Sequence, residues 1–244
     1  MRIARFLARC GVAARRKAES LVSEGRVALN GVVITDLGRQ VDPAKDAVSV
    51  DGKIVQLATS ALTLVLNKPV GYMTTRHDPE GRATIYDLLP QKYAARAAEL
   101  VHAGRLDFNT SGLLILSTDG DLVNELSHPS RHITKSYDVT TNGRLPDRAP
   151  ALLMRGVELE DGPARAVAAR FLDDEQRRLL VAIEEGRNRQ VRRMMDAIGT
   201  KVIKLVRISI GGLRLADLKL PEGEFLEMEG AELLRKILPP KPRG

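Results

Sequence analysis

The sequence predicts an α+β protein in two parts: a small N-terminal α/β unit, then a larger, mixed and mainly antiparallel sheet domain. Three observations lead there. Apolar residues near the N-terminus recur with helical spacing. Two Asn-Gly or Asp-Gly pairs then stand between β-rich arms. From residue 62 onward, strand-like runs alternate with a few helices and without regular βαβ repetition. A chain of 244 residues is long enough for each part to bury its own core.

Ile3, Phe6, Leu7 and Cys10 fall at i, i+3, i+4 and i+7 and predict a helix over 1–10. Arg2, Arg5 and Arg9 share its other side, and Gly11 stops it. A second helix is predicted over 14–24, with Ala18, Leu21 and Val22 inward, Arg15, Arg16 and Lys17 at its start and Gly25 as its cap. Cations at a helix N-terminus oppose the helix dipole, so their presence hints at use. The first 18 residues have the Arg-rich, acid-free composition of an organelle presequence. Their unbroken run into the second helix and their paucity of Ser read instead as folded structure. Asn30-Gly31 and Asp51-Gly52 predict two hairpins.

Strands are predicted over 62–66, 112–117, 136–140, 164–171, 179–183, 202–210 and 223–228, and helices over 121–126, 147–154, 188–198 and 231–238. The domain reading is a small domain at 1–57, a linker at 58–61, a large domain at 62–232, and a C-terminal helix and tail at 233–244.

Charge is segregated along the chain, whose formal total is +7. Residues 1–30 carry seven Arg or Lys and two Glu, and residues 186–214 carry eight against one Asp. The remainder is net acidic. Such clustering is the footprint of a polyanion binder. One cysteine, Cys10, excludes a disulfide framework and a Cys-based zinc site. Four Tyr, four Phe and no Trp are too few to tile a surface for stacking single-stranded bases. No apolar run approaches the roughly 18–20 residues that span a bilayer. His77, His102, His128 and His132 lack zinc spacing, and no phosphate loop, dinucleotide fingerprint or nucleophile elbow is present.

Two segments can carry chemistry. In Gly104-Arg105-Leu106-Asp107-Phe108-Asn109-Thr110-Ser111-Gly112, a carboxylate stands in a polar loop directly before an apolar strand, a rigid position that suits a catalytic group. An Asx turn at Asp107 is the structural alternative. A calcium loop fails, because Thr118 stands where a bidentate carboxylate is required. In Glu185-Gly186-Arg187-Asn188-Arg189-Gln190-Val191-Arg192-Arg193-Met194, Gly186 permits a tight turn and Arg187 can reach across to another loop. Arg189, Arg192 and Arg193 cluster at a helix start, where phosphates bind. A solvated basic helix is the alternative. Lys68-Pro69-Val70-Gly71 is a turn signal, and Tyr137 in Lys135-Ser136-Tyr137-Asp138-Val139 is a strand tyrosine of a kind more often found in cores.

Taken in order, Lys-Pro-x-Gly (68–71), Gly-Arg-Leu-Asp-x-x-Thr-Ser-Gly-Leu-Leu (104–114), Lys-x-Tyr-x-Val (135–139), the Arg-rich block and Leu-Val-Arg-Ile-Ser-Ile-Gly (205–211) resemble the RsuA/RluB-type pseudouridine synthases. The N-terminal part resembles their small RNA-binding domain, a module of the αL kind also found in a ribosomal protein. The resemblance implies a cofactor-free isomerase that converts a specific uridine of ribosomal RNA to pseudouridine. It implies Asp107 as the catalytic carboxylate, Arg187 paired with it, and Tyr137 against the uracil. Arg105 would fill the space left by the flipped base. Lys68, Arg189, Arg192 and Arg193 would grip phosphates, and Arg2, Arg5, Arg9, Arg15, Arg16 and Lys17 would meet RNA from the small domain. The implied partner is ribosomal RNA or an assembly intermediate, met by a cytoplasmic monomer with no membrane role. The Arg-rich block resembles the RluB branch, which implies large-subunit RNA. Met73-Thr74-Thr75 departs from the usual form after the Lys-Pro-x-Gly turn, and a long basic C-terminal tail is missing. The competing readings are a non-catalytic RNA-binding or ribosome-assembly protein, with Asp107 as a turn residue, and a synthase acting on small-subunit RNA or tRNA.

Overall fold

The computed structural model describes residues 1–13, 15–56 and 60–238. Half of the expected linker at 58–61 and the tail residues 239–244 lie outside the described residues. The chain divides into two compact units. The first comprises Met1–Leu62 with Pro90–Val101 and Ser117–Gly120; the second takes the remaining described residues.

In the first unit α1 (Ile3–Arg9) and α2 (Arg15–Ser23) precede β1 (Val27–Leu29), β2 (Val32–Ile34), β3 (Val48–Val50) and β4 (Lys53–Val55). The strands form an antiparallel sheet in the order β2-β1-β3-β4. Asn30-Gly31 and Asp51-Gly52 both hold positive φ at each residue, as a primed hairpin turn requires. Ile3, Phe6, Leu7, Ala18, Leu21 and Val22 pack with Val27, Leu29, Val48 and Val50. Cys10, placed on the inward stripe by its spacing, is only half-buried because α1 has already ended at Arg9. Arg2, Arg5, Arg15, Arg16 and Lys17 are exposed, and Arg9 is half-exposed.

The larger sheet belongs to the second unit. Its elements are β5 (Thr63–Lys68), β6 (Val101–Ala103), β7 (Ser111–Ser117), α3 (Gly120–Ser127), β8 (Lys135–Thr141), α4 (Ala149–Arg155), β9 (Val157–Leu159), β10 (Gly162–Ala164), β11 (Ala168–Phe171), β12 (Arg178–Ile183), α5 (Gln190–Ala197), β13 (Val202–Ile210), β14 (Leu213–Arg214), α6 (Leu215–Leu218), β15 (Phe225–Glu227) and α7 (Gly230–Ile237). The strand order is β11-β12-β8-β13-β7-β5-β15, with β14 on β13 and β6 on β7. Pairing is antiparallel at β11–β12, β12–β8, β8–β13 and β5–β15, and parallel at β13–β7.

β5 and β7 are buried along their whole length, which is why they read as continuous runs and not as alternation. β8 alternates instead, with Tyr137, Val139 and Thr141 inward. Val65, Leu113 and Ile115 meet Leu122, Leu126, Leu233 and Ile237 from α3 and α7. Each fully buried Leu or Ile of this kind contributes about 2 kcal/mol. Gly112 has φ +105°, and a Cβ there would lie 2.3 Å from the Arg207 carbonyl oxygen. Only glycine lets β13 pass this close to β7.

One expected element is wrong. The strand predicted over 164–171 is two strands, β10 and β11, and β10 forms its own hairpin with β9. The break falls where Ala166 N donates to Leu153 O at 2.8 Å, away from the ladder, before Val167 N joins Ala182 O at 2.8 Å.

Candidate active site

A cleft of about 560 Å³ opens in the second unit. Asp107 and Thr110 line it from the loop before β7, Lys135 and Tyr137 from β8, Gly186–Gln190 from the turn before α5, and Leu205 and Arg207 from β13.

The loop that carries Asp107 is held by its main chain. Thr74 Oγ1 donates to Leu106 O at 2.7 Å. Thr110 N donates to Asp107 O at 3.0 Å, and Gly71 N donates to Phe108 O at 2.9 Å. Arg192 Nη2 donates to Asn109 O at 2.6 Å. Lys68 Nζ donates to the carbonyls of Pro69, Asp107 and Thr110 at 2.8, 3.2 and 3.0 Å. Every carbonyl from Leu106 to Thr110 thus has a donor. The Asp107 carboxylate, by contrast, takes no hydrogen bond from the described residues, is half-buried and faces the cleft. The Asx turn therefore does not form: the turn is closed by the Asp107 carbonyl, and the carboxylate is left for another use.

Three sequence expectations are corrected here. Lys68 does not grip phosphate: it has no solvent exposure, and its three donors are spent on carbonyls. Burial pushes its ammonium down to about 8, against the pull of Asp107. Arg192 does not grip phosphate either. It is 9% exposed, donates to Val202 O at 3.0 Å as well as to Asn109 O, and feels the Asp107 carboxylate while burial lowers its pKa. Arg187 does not pair with Asp107. Its Nε donates to Glu185 at 3.0 Å, Nη1 reaches Asp161 at 3.3 Å, and its two Nη groups donate to Gly162 O and Pro163 O at 3.0 and 2.5 Å. It ties the β9–β10 hairpin to the α5 turn.

Arg193 is also engaged, with both Nη groups on Asp161 at 2.8 and 2.9 Å, and that pairing, with the help of Arg187, holds the Asp161 carboxyl at about 2. Arg189 takes the left-handed conformation at the α5 start and is exposed on the cleft, as is Arg105 beside Asp107. Tyr137 is 8% exposed, lines the cleft and stands opposite Arg207 in the β8–β13 register. Among the described residues no cluster of His, Cys, Asp and Glu could hold a metal ion.

Sequence reading missed four participants: Thr74, Thr110, Lys135 and Arg207. Arg207 had a usable signal, a lone guanidinium on the face of β13 that also buries Leu205 and Ser209. Thr74 had none, because its role depends on a loop meeting from 32 residues away.

Residues 62–197 match the family model described as RNA pseudouridylate synthase, and residues 1–48 match the S4 domain. The chain is 39% identical to the ribosomal large subunit pseudouridine synthase B of Vibrio cholerae, over 99% of this chain and 76% of that protein. It is also 39% identical to the enzyme of that name from Escherichia coli K12, over 98% of this chain and 84% of the relative. A crystal structure of a pseudouridylate synthase superposes with a TM-score of 0.69 at 29% identity, covering 98% of this chain and all of that one. The Asp107 cleft lies largely within the matched segment, and the chain belongs to the RNA pseudouridylate synthase family, with an S4 domain at its N-terminus.

Proposed function

We propose that the uridine isomerised by this enzyme lies in large-subunit ribosomal RNA, and that Asp107 is the carboxylate that faces its C1′. The relatives' names support the first part. One observation carries the second: the Asp107 carboxylate has no hydrogen-bond partner among the described residues, while every carbonyl around it is tied down. A nucleophile or cation stabiliser needs such fixed placement and an unoccupied lone pair.

The reaction breaks the N1–C1′ bond of uridine, turns the ring and joins C5 to C1′. One proton leaves C5 and one is gained at N1, so no co-reactant is consumed. Tyr137 packs against the ring from β8. Taking the base out of its stack costs a few kcal/mol. Arg105, exposed beside Asp107, supplies a planar guanidinium for the vacated space, and Arg189 meets phosphate at the rim. The exposed Arg2, Arg5, Arg15, Arg16 and Lys17 give the S4 domain a phosphate-binding face.

The test is tritium release from large-subunit RNA labelled at uracil C5. Wild type releases label, and Asp107→Asn binds the RNA without releasing it. Substantial release by Asp107→Asn removes Asp107 from its role. Release from small-subunit RNA alone moves the target.

A further inference from the structure

Among the described residues three buried side-chain polar atoms have no hydrogen-bond partner: Thr110 Oγ1, Arg192 Nε and Arg207 Nη2. Thr110 and Arg207 line the Asp107 cleft, and Arg192 supports its loop. A buried polar atom left unpaired costs about 1–3 kcal/mol, and folded proteins leave few of them. Three around one cleft mark a surface completed by a ligand.

Arg207 is the most informative of the three. It is 4% exposed. Nε donates to Leu113 O at 2.7 Å, which fixes the plane of the guanidinium. Neither Nη group bonds to a described residue, and no acidic side chain pairs with either. Lys135 lines the same cleft, two residues before Tyr137 on the same side of β8. Among the described residues its Nζ reaches only the Glu184 carbonyl, at 3.4 Å. Burial first and the charge of Arg207 second push the Lys135 pKa down, with Glu184 opposing. The Glu184 carboxylate itself sits 3.6 Å from His132. A buried guanidinium and a half-buried ammonium facing one cavity without a bonded carboxylate are unfavourable until negative charge arrives.

The chemistry supplies that charge. When N1–C1′ breaks, its electron pair leaves with the ring and spreads over N1 and O2, while Asp107 faces C1′. The charge persists until C5 bonds to C1′; the C5 proton then leaves as N1 gains one. We infer that Arg207, backed by Lys135, is a catalytic residue that binds the uracil carbonyl edge and holds the negative charge on the detached ring. The inference rests on the activity proposed above. Fixed donors aimed at developing charge in a water-poor site contribute about 10²–10³-fold in rate.

The experiment is single- and multiple-turnover tritium release by Arg207→Gln, on an RNA that wild type modifies. Turnover falls about 10²-fold, RNA affinity stays within about threefold, and Arg207→Lys recovers part of the rate. The same RNA carrying 5-fluorouridine, read as loss of that nucleoside after nuclease digestion, shows a smaller deficit, because an electron-poor ring bears the charge more easily. A wild-type kcat in Arg207→Gln overturns the inference. So does a loss confined to affinity and equal on both substrates, which is the behaviour of a phosphate contact. Should Arg207→Gln fail to melt cooperatively, Lys135→Met carries the test, since it leaves the Leu113 bond intact. A tenfold or greater loss of kcat is then expected, and an unchanged kcat overturns the inference. A wild type inactive on every ribosomal RNA sinks the activity itself, which separates that failure from this one.

Discussion

Lys68 donates to the main-chain carbonyl of Asp107 at 3.2 Å from a position with no solvent exposure. The ammonium has three protons and meets three carbonyls, so nothing is left over for RNA. It acts as an internal strut beneath the loop, and its charge lies on the side of the loop away from solvent.

Lys68→Met therefore loosens the loop at two of its five carbonyls. The Pro69 and Thr110 carbonyls lose their donor, while Asp107 O keeps Thr110 N, which lowers stability by about 2 kcal/mol. A carboxylate displaced by an ångström costs about 10²-fold in rate. Urea denaturation and tritium release measure the two effects. A variant with normal turnover and a normal midpoint would refute the strut.

Gly112→Ala attacks the same site from β7. Its methyl would meet the Arg207 backbone at 2.3–2.9 Å, at a φ of +105° that L-residues rarely adopt. The parallel join between β7 and β13 has to open, at a cost of about 3 kcal/mol or more. Thermal melting reads this directly, and an unshifted midpoint contradicts the close approach.

Asp161 makes a pH-dependent contribution. Arg193 and Arg187 hold its carboxyl at about 2, below its ordinary 3.8. A depressed carboxyl stabilises the fold above its unfolded value, and the contribution is lost as pH falls from about 4 to about 2. The stability gap between wild type and Asp161→Asn closes over that range. Hydrogen exchange in the Val157–Ala164 hairpin rises in the variant at neutral pH. A gap that stays constant from pH 5 to pH 2 would show that the pairing contributes nothing.

Much of the architecture was legible from local chemistry. The Asn30-Gly31 and Asp51-Gly52 turns, the Ile3–Phe6–Leu7 stripe and the β13 run all rest on interactions within a few residues. The placement of Asp107 was legible as well, because a polar loop before a buried strand is a local pattern. The arginines were not. Arg187, Arg192 and Arg193 lie within seven residues, yet one holds a hairpin, one holds the Asp107 loop and one holds Asp161. Sequence spacing placed them together. Which partner each met depended on β9, β10 and the 106–110 loop, whose approach no local rule contains.

β13 stands between β8 and β7, so it joins the half of the sheet that bears Tyr137 to the half that bears the Asp107 loop. Both neighbours precede it in the chain by more than sixty residues. During synthesis β7 and β8 therefore both emerge before the strand that unites them exists, and the cleft cannot form until Ile210 is in place. The α1–β4 unit closes over short separations and needs nothing downstream of residue 120. A growing chain thus gains its S4 fold first and its chemistry late, and a transcript truncated before β13 yields a chain that can carry the S4 fold but has no cleft for a uridine.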